Sequence, residues 1–349
     1  MLNSDGVMNM RAFLFFFASF LVGICAWLGL RVVLLDYVHM PERAMWLAKS
    51  RMIDNYRYKD SDVIIIGSSR AMAINPERLQ QQYNVNAINF SVGGATTPST
   101  YFLIKRLLNN NSKIRKVYLE FAPINMSNKD TGLDASLGEN FLRHVATKEE
   151  AEELDANLPG ALDMYRKIHT FPFTKYVNMK DISLLEGVLI RWRTGKSDDG
   201  VAKKLIAQKG WFLYSGSISS DDQKNSSLEI KANEYYKMTD KYTETIPTVT
   251  GEYFSKTIRL LNERKVDYAF FFSPIPNVAK QYNNLAFGRT YNLFKNASSN
   301  VNDAVPVFPN KLFSDPSHVN SEGSIYFTSF FYDCIIHYQC DNYNAVSLF

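Results

Sequence analysis

Cysteine and histidine are scarce in this sequence, and what there is of them is scattered. Three cysteines and five histidines, none at ligand-like spacing, exclude a structural zinc site and a disulfide-built scaffold. Surplus charge is lacking too: 39 Lys+Arg against 35 Asp+Glu leave a formal net charge of +4, and no basic run exceeds two residues. That balance excludes the electrostatic footprint of a nucleic-acid binder. No internal repeat or heptad pattern is visible, and no cofactor motif is present, so neither cofactor nor metal is expected. Apolar residues, by contrast, are not lacking. With 46% hydrophobic and 21% charged residues in 349, the chain can bury a substantial core as one large domain or two small ones.

The one excess is aromatic, at 14%, and part of it is concentrated near the N-terminus. From Ala12 to Leu30 the chain reads AFLFFFASFLVGICAWLGL without a charge, bracketed by Arg11 and Arg31. Such a run, rising about 1.5 Å per residue, matches the roughly 30 Å hydrocarbon core of a bilayer. A cleaved signal peptide would have an apolar region of about 7–15 residues ending in small residues. Here the run is longer, and Trp27 and Leu30 stand where a cleavage site should begin. A buried core helix is disfavoured by the uninterrupted apolar stretch. An uncleaved transmembrane anchor is therefore expected over 12–35, after a short tail at 1–11. Arg43, Lys49 and Arg51 follow the run, which by itself mildly favours a cytoplasmic C-terminal side. Cys334 and Cys340 lie close enough in sequence to pair in an oxidising compartment, but on a continuous helix they would face differently.

Residues 36–61 read as a helical stalk, and 62–349 as an α/β domain. Its first strand is Asp62-Val-Ile-Ile-Ile-Gly67, apolar on both faces as a central parallel strand requires. Similar runs follow at 85–90 (VNAINF), 116–121 (KVYLEF), 267–273 (DYAFFFS) and 305–308 (VPVF), with helical patterns at 75–83, 99–108, 251–265 and 320–338. Helix-length intervals between buried strands give βαβ units and a parallel sheet with helices on its faces. The regularity breaks over about 126–248, which carries a Lys-rich middle, the tract SGSISSDDQKNSSLE and helical pieces at 148–156 and 181–193. This stretch is expected to be an insertion capping one rim of the sheet. Its Trp192, Trp211 and Tyr214 fit either sugar stacking or, as the preferred reading, a small core of its own.

Ligands in open parallel sheets bind beyond the carboxyl ends of the strands, so the turns there hold the chemistry. After the first strand comes Gly67-Ser68-Ser69-Arg70. A Ser on such a turn can expose its hydroxyl, or merely cap a helix. A P-loop is excluded at this turn because the Gly-Lys-Ser/Thr ending is missing. After the second strand comes Asn89-Phe-Ser-Val-Gly-Gly94, whose glycines either let amides approach a reacting atom or form an ordinary turn. Near the C-terminus stands Asp315-Pro-Ser-His318-Val-Asn-Ser-Glu-Gly323. An Asp three residues before a His can take the ring N–H and leave the other nitrogen free as a general base. The competing reading is a helix N-cap beside an incidental histidine. His39, His144, His169 and His337 have no comparable companion.

In this order, Ser, Gly and Asp-x-x-His at strand ends resemble the SGNH (GDSL-type) hydrolase superfamily over roughly 60–125 and 265–340. The resemblance implies a three-layer, flavodoxin-like fold with a parallel five-stranded sheet. It places the nucleophile at Ser69, the triad partners at Asp315 and His318, and oxyanion donors at the amides of Ser69 and Gly94. The family's third block, Gly-x-Asn-Asp, departs: the chain reads Glu120-Phe-Ala-Pro-Ile-Asn125, leaving Asn125 as a substitute donor out of register. The anchor, the Gly-Ser-Ser-Arg turn and the Asp-Pro-x-His-x-Asn-x-x-Gly ending are similar to membrane-tethered bacterial branches, the DltD-type and alginate-acetylation-type proteins. This implies an inner-membrane protein with its domain outside the cytoplasm, transferring or removing ester-linked acyl groups on an envelope glycan. The implied partners are the lipid bilayer, the acylated glycan and a multi-span membrane acyltransferase, with no nucleic acid. A deacetylating esterase and a non-catalytic accessory protein of polysaccharide assembly are the competing readings.

Overall fold

The computed structural model describes residues 10–37, 41–56, 63–111, 113–126, 137–170, 189, 192–193, 198–213, 221–242, 248–282, 286–297, 304–339 and 345–347. In chain order these form α1 (Met10–Tyr37), α2 (Pro41–Asn55), β1 (Val63–Ile66), α3 (Pro76–Tyr83), β2 (Ala87–Asn89), α4 (Thr97–Asn110), β3 (Lys116–Glu120), α5 (Lys148–Asp155) and α6 (Ala161–Thr170). There follow α7 (Asp198–Ala207), α8 (Asp221–Tyr242), α9 (Thr248–Glu263), β4 (Asp267–Phe271), β5 (Ile275–Pro276), α10 (Ala286–Ala297), β6 (Ala304–Phe308), α11 (Ser321–Phe330) and β7 (Ala345–Ser347). The helical piece expected at 181–193 falls almost wholly outside the described residues.

The principal sheet has four parallel strands in the order β2-β1-β3-β4. Period-2 alternation explains why its strands read as unbroken apolar runs. Ile64, Ile66, Val117, Leu119 and Phe270 enter one core with Trp46, Phe102, Tyr253 and Phe254. Ile65, Tyr118, Ala269 and Phe271 enter the other, with Leu79, Phe327, Phe330 and Phe331. Helices α2, α4 and α9 thus cover one face, and α3 and α11 the other.

The sequence leads one to expect a fifth parallel strand in this sheet. Residues 304–308 do form a strand, β6, but it pairs in parallel with β5 and antiparallel with β7 in a separate three-stranded sheet. Proline accounts for the break. Pro274 and Pro276 follow β4 and Pro306 sits within β6, each lacking the N–H that a continued ladder needs.

The segment read as a stalk carries α2, and this helix packs into the main core. Met45, Trp46, Ala48 and Ile53 are all buried, and the Trp46 indole donates to Gly93 O at 2.9 Å. Its polar-looking sequence hides Lys49, fully buried, whose Nζ donates to Asn89 O and Gly210 O at 2.6 Å each. That lysine ties α2 to the end of β2 and to the insertion, where the Asn89 amide donates to Lys209 O at 2.9 Å. Burial holds the Lys49 pKa well below 10.5. The folded chain therefore binds fewer protons at this site than the unfolded chain between the two values, and stability gains with rising pH there. Thermal unfolding followed up to about pH 10 should show a gain with pH in the wild type that Lys49→Met lacks. Equal pH profiles for the two proteins would reject that account.

Helix α1 runs for 28 residues and contains the apolar run of the N-terminus. Phe13, Phe15, Phe16, Phe17, Phe20 and Trp27 on it are exposed. Its side chains are described only from Ala12 to Trp27, and among the described residues no helix is long and apolar enough to cross a membrane. A bilayer crossing is thus an expectation from the sequence, not a property of the described helix.

Candidate active site

The Gly67-Ser68-Ser69-Arg70 turn begins where β1 ends. Gly67 is required there by crowding: a Cβ on it would lie 2.8 Å from both the Cβ and Oε2 of Glu120 on the neighbouring β3. Glu120 is itself buried, accepting from the Ser68 amide at 2.8 Å and from Ser273 Oγ at 3.2 Å. The two serines of the turn are thereby distinguished. Ser68 is buried and its hydroxyl accepts from the Arg70 amide at 3.3 Å, whereas Ser69 is partly exposed. Arg70 turns inward, donating from Nη2 to Pro274 O at 3.0 Å. Burial opposes its charge, but Tyr236, Tyr235, Glu120 and Asp315 around it outweigh that and raise its pKa.

The Asp315–His318 loop is closed by its own backbone. Phe313 and Val319 form an antiparallel bridge, and the Ser314 amide donates to His318 O at 2.8 Å. Asn320 then caps α11 by accepting from the Gly323 amide at 2.9 Å, while its own amide donates to Leu312 O at 2.8 Å. A Cβ on Gly323 would lie 2.1 Å from Leu312 O, so the Asn-x-x-Gly ending is a packing requirement of this loop.

The loop presents His318 to Ser69. Nε2 of His318 lies 2.8 Å from Ser69 Oγ, and Nδ1 lies 2.8 Å from Asp315 Oδ2 and 3.0 Å from Oδ1. An ionised carboxylate only accepts, so Nδ1 carries the hydrogen and Nε2 of the neutral ring accepts from the Ser69 hydroxyl. Asp315 Oδ1 also accepts from the amides of Ser317 and His318 at 2.8 and 2.9 Å, and from Ser317 Oγ at 3.0 Å. Burial would raise the Asp315 pKa, but the hydrogen bond and charge of His318 and the two bonds from Ser317 prevail and hold it at about 2. The His318 side chain is 19% exposed, open enough to be reached and covered enough to be held.

The second loop is held close by. Asn89, fully buried, donates from Nδ2 to Ala71 O at 2.8 Å and Ile74 O at 3.1 Å, and accepts from the Ser91 amide at 2.9 Å. It thus pins the loop after β2 to the segment following Ser69. Gly94 has φ 67°, in the left-handed region that glycine enters without strain. Among the described residues neither the Ser69 nor the Gly94 amide donates to an acceptor. Asn125 lies in the short 3₁₀ segment Pro123–Met126, and its side chain is outside the described residues. Of the insertion aromatics, Trp192 is 84% exposed, Trp211 Nε1 donates to Ser324 Oγ at 3.2 Å, and Tyr214 lies outside the described residues.

Two residues at this site carried no functional signal in the sequence. Glu120 is visible in the sequence only as the acid that ends an otherwise largely apolar strand. Tyr236, whose buried hydroxyl donates to Pro316 O at 3.0 Å, is one tyrosine among 20. Among the described residues no group of His, Cys, Asp and Glu side chains is placed to share a metal ion. No known protein family and no curated protein matches this chain.

Proposed function

We propose that the chain is a membrane-anchored SGNH-type serine acyltransferase or esterase acting on ester-linked acyl groups, O-acetyl or similar, of an envelope glycan. The observation that carries this reading is the continuous relay Ser69–His318–Asp315, with both links at 2.8 Å. In it His318 Nε2 takes the Ser69 proton as Oγ attacks the ester carbonyl. The negative charge on the carbonyl oxygen is met by the Ser69 and Gly94 amides. Collapse breaks the bond to the leaving alcohol, which receives the proton from His318 and leaves an acyl group on Ser69. A glycan hydroxyl, or water, then attacks with His318 again as base and frees the serine.

The apolar side chains of α1 are exposed, as on a helix made for lipid, which supports the anchor. One feature supports a place outside the cytoplasm. Cys334 is disulfide-bonded while Cys25 is free, and such bonds persist in oxidising compartments. Chemistry beside the membrane favours transfer of an acyl group over simple hydrolysis, since a secreted esterase needs no anchor.

The test is intact-mass spectrometry of the full chain in detergent with an activated acetyl ester. A Ser69-linked acetyl adduct that is discharged faster on adding an acetylatable glycan is expected. An adduct whose lifetime ignores every acceptor would reduce the protein to an esterase. No adduct at all would favour the non-catalytic reading.

A further inference from the structure

The insertion between β3 and β4 reaches the Asp315–His318 loop at a buried point. Helix α8 places Tyr236, 2% exposed, against the catalytic loop, where its hydroxyl donates to the carbonyl of Pro316 at 3.0 Å. Pro316 stands between the carboxylate and the imidazole of the relay, in a turn whose remaining backbone bonds close on the loop itself. The Ser317 and His318 amides point inward to Asp315, and the Ser314 amide to His318 O. The outward Pro316 carbonyl is thus tied to α8. The charge of Arg70 acts on the Tyr236 hydroxyl, and Arg70 directly follows Ser69 and is anchored to Pro274 O at 3.0 Å. One side chain from the insertion therefore holds the Asp315–His318 loop, which meets Ser69 across 249 residues of sequence.

We propose that Tyr236 is a positioning residue for acyl transfer: through the Pro316 carbonyl, helix α8 holds the Asp315–His318 loop in register with Ser69. This rests on the acyl-transfer reading and gives the insertion a part in it. Tyr236 touches neither substrate nor reacting atoms. It acts by fixing where His318 Nε2 sits, and displacements of about 1 Å in such a base can cost up to about 10² in rate.

Tyr236→Phe keeps the ring in its packing and removes only the hydroxyl. The full chain in detergent would be treated with a fluorophosphonate, which reacts at an activated serine, and separately with p-nitrophenyl acetate, with Ser69→Ala as the site control. Expected for Tyr236→Phe is about tenfold slower phosphonylation of Ser69 and about tenfold lower kcat, with KM within twofold of wild type. Rates are expressed per folded protein, from the amplitude of the thermal unfolding transition. Loss of folded protein with an unchanged rate per folded molecule would show a merely structural role and overturn the proposal. So would wild-type rates in the variant. A wild-type chain that takes no label at Ser69 overturns the acyl-transfer reading and this inference with it.

Discussion

Ser69→Ala is expected to abolish the acyl adduct and to lower ester turnover by about 10⁴-fold or more. The adjacent serine cannot substitute. Ser68, the adjacent hydroxyl, is 3% exposed and engaged with the Arg70 amide, so it cannot reach the imidazole without unmaking the turn. Asp315→Asn should cost about 10²–10⁴, because an amide can donate to Nδ1 and so stabilise the tautomer that no longer accepts the serine proton. Both variants should fold, since Ser69 is partly exposed and the Asp315 side chain is 40% exposed. Steady-state turnover and adduct mass check the first claim; retention of wild-type turnover in Ser69→Ala would remove that residue from the mechanism. A pH dependence accompanies the second. Folding lowers the Asp315 pKa from 3.8 to about 2, so its ionised form contributes stability above about pH 4. That contribution is lost as the pH falls toward about 2, and exposure of the side chain keeps it modest. The difference in acid-unfolding midpoint between wild type and Asp315→Asn should therefore arise within that window.

Gly210→Ala is expected to be the most damaging change remote from the triad, destabilising by about 3 kcal/mol or more. Gly210 has φ 89°, and an added Cβ would lie 1.8 Å from Asn89 O and 2.8 Å from Lys49 Nζ. Neither strand end nor insertion can retreat cheaply. The approach is held by the bond from the Asn89 amide to Lys209 O at 2.9 Å and by Lys49 Nζ on Gly210 O at 2.6 Å. Retreat would also move Asn89, and with it the loop bearing Gly94. In thermal unfolding the midpoint should fall by about 4 °C or more. Gly251→Ala is the control. It lies within α9 with nothing inside 4 Å of the added Cβ, so a gain of about 0.5–1 kcal/mol is expected there. Equal behaviour of the two variants would refute the close-approach argument.

Much of the fold was legible because buried parallel strands leave a plain mark. Val63–Ile66, Lys116–Glu120 and Asp267–Phe271 are apolar on both faces because each face meets its own helical layer. Helix α2 was not legible as core. Its Pro-Glu-Arg start, Lys49 and Arg51 read as a solvated stalk, and only the carbonyls of Asn89 and Gly210 make burial of a lysine tolerable. The separation of the fifth strand from the main sheet has a local cause: three prolines around Ser273 and Val305 withhold ladder donors.

The site divides in the same way. Residue type and spacing determined the chemistry on offer, since an Asp three residues before a His can orient only a near neighbour, and a Ser on a strand-end turn is poised to be exposed. Tertiary structure decided which serine meets the histidine: Glu120, from a strand 52 residues away in sequence, draws the Ser68 amide inward and leaves Ser69 to His318. It also decided that the insertion reaches the catalytic loop, through the Tyr236 hydroxyl on Pro316 O. Local spacing encodes contacts within a turn, whereas these contacts join segments that only packing of the sheet, the insertion and the last loop brings within hydrogen-bonding distance.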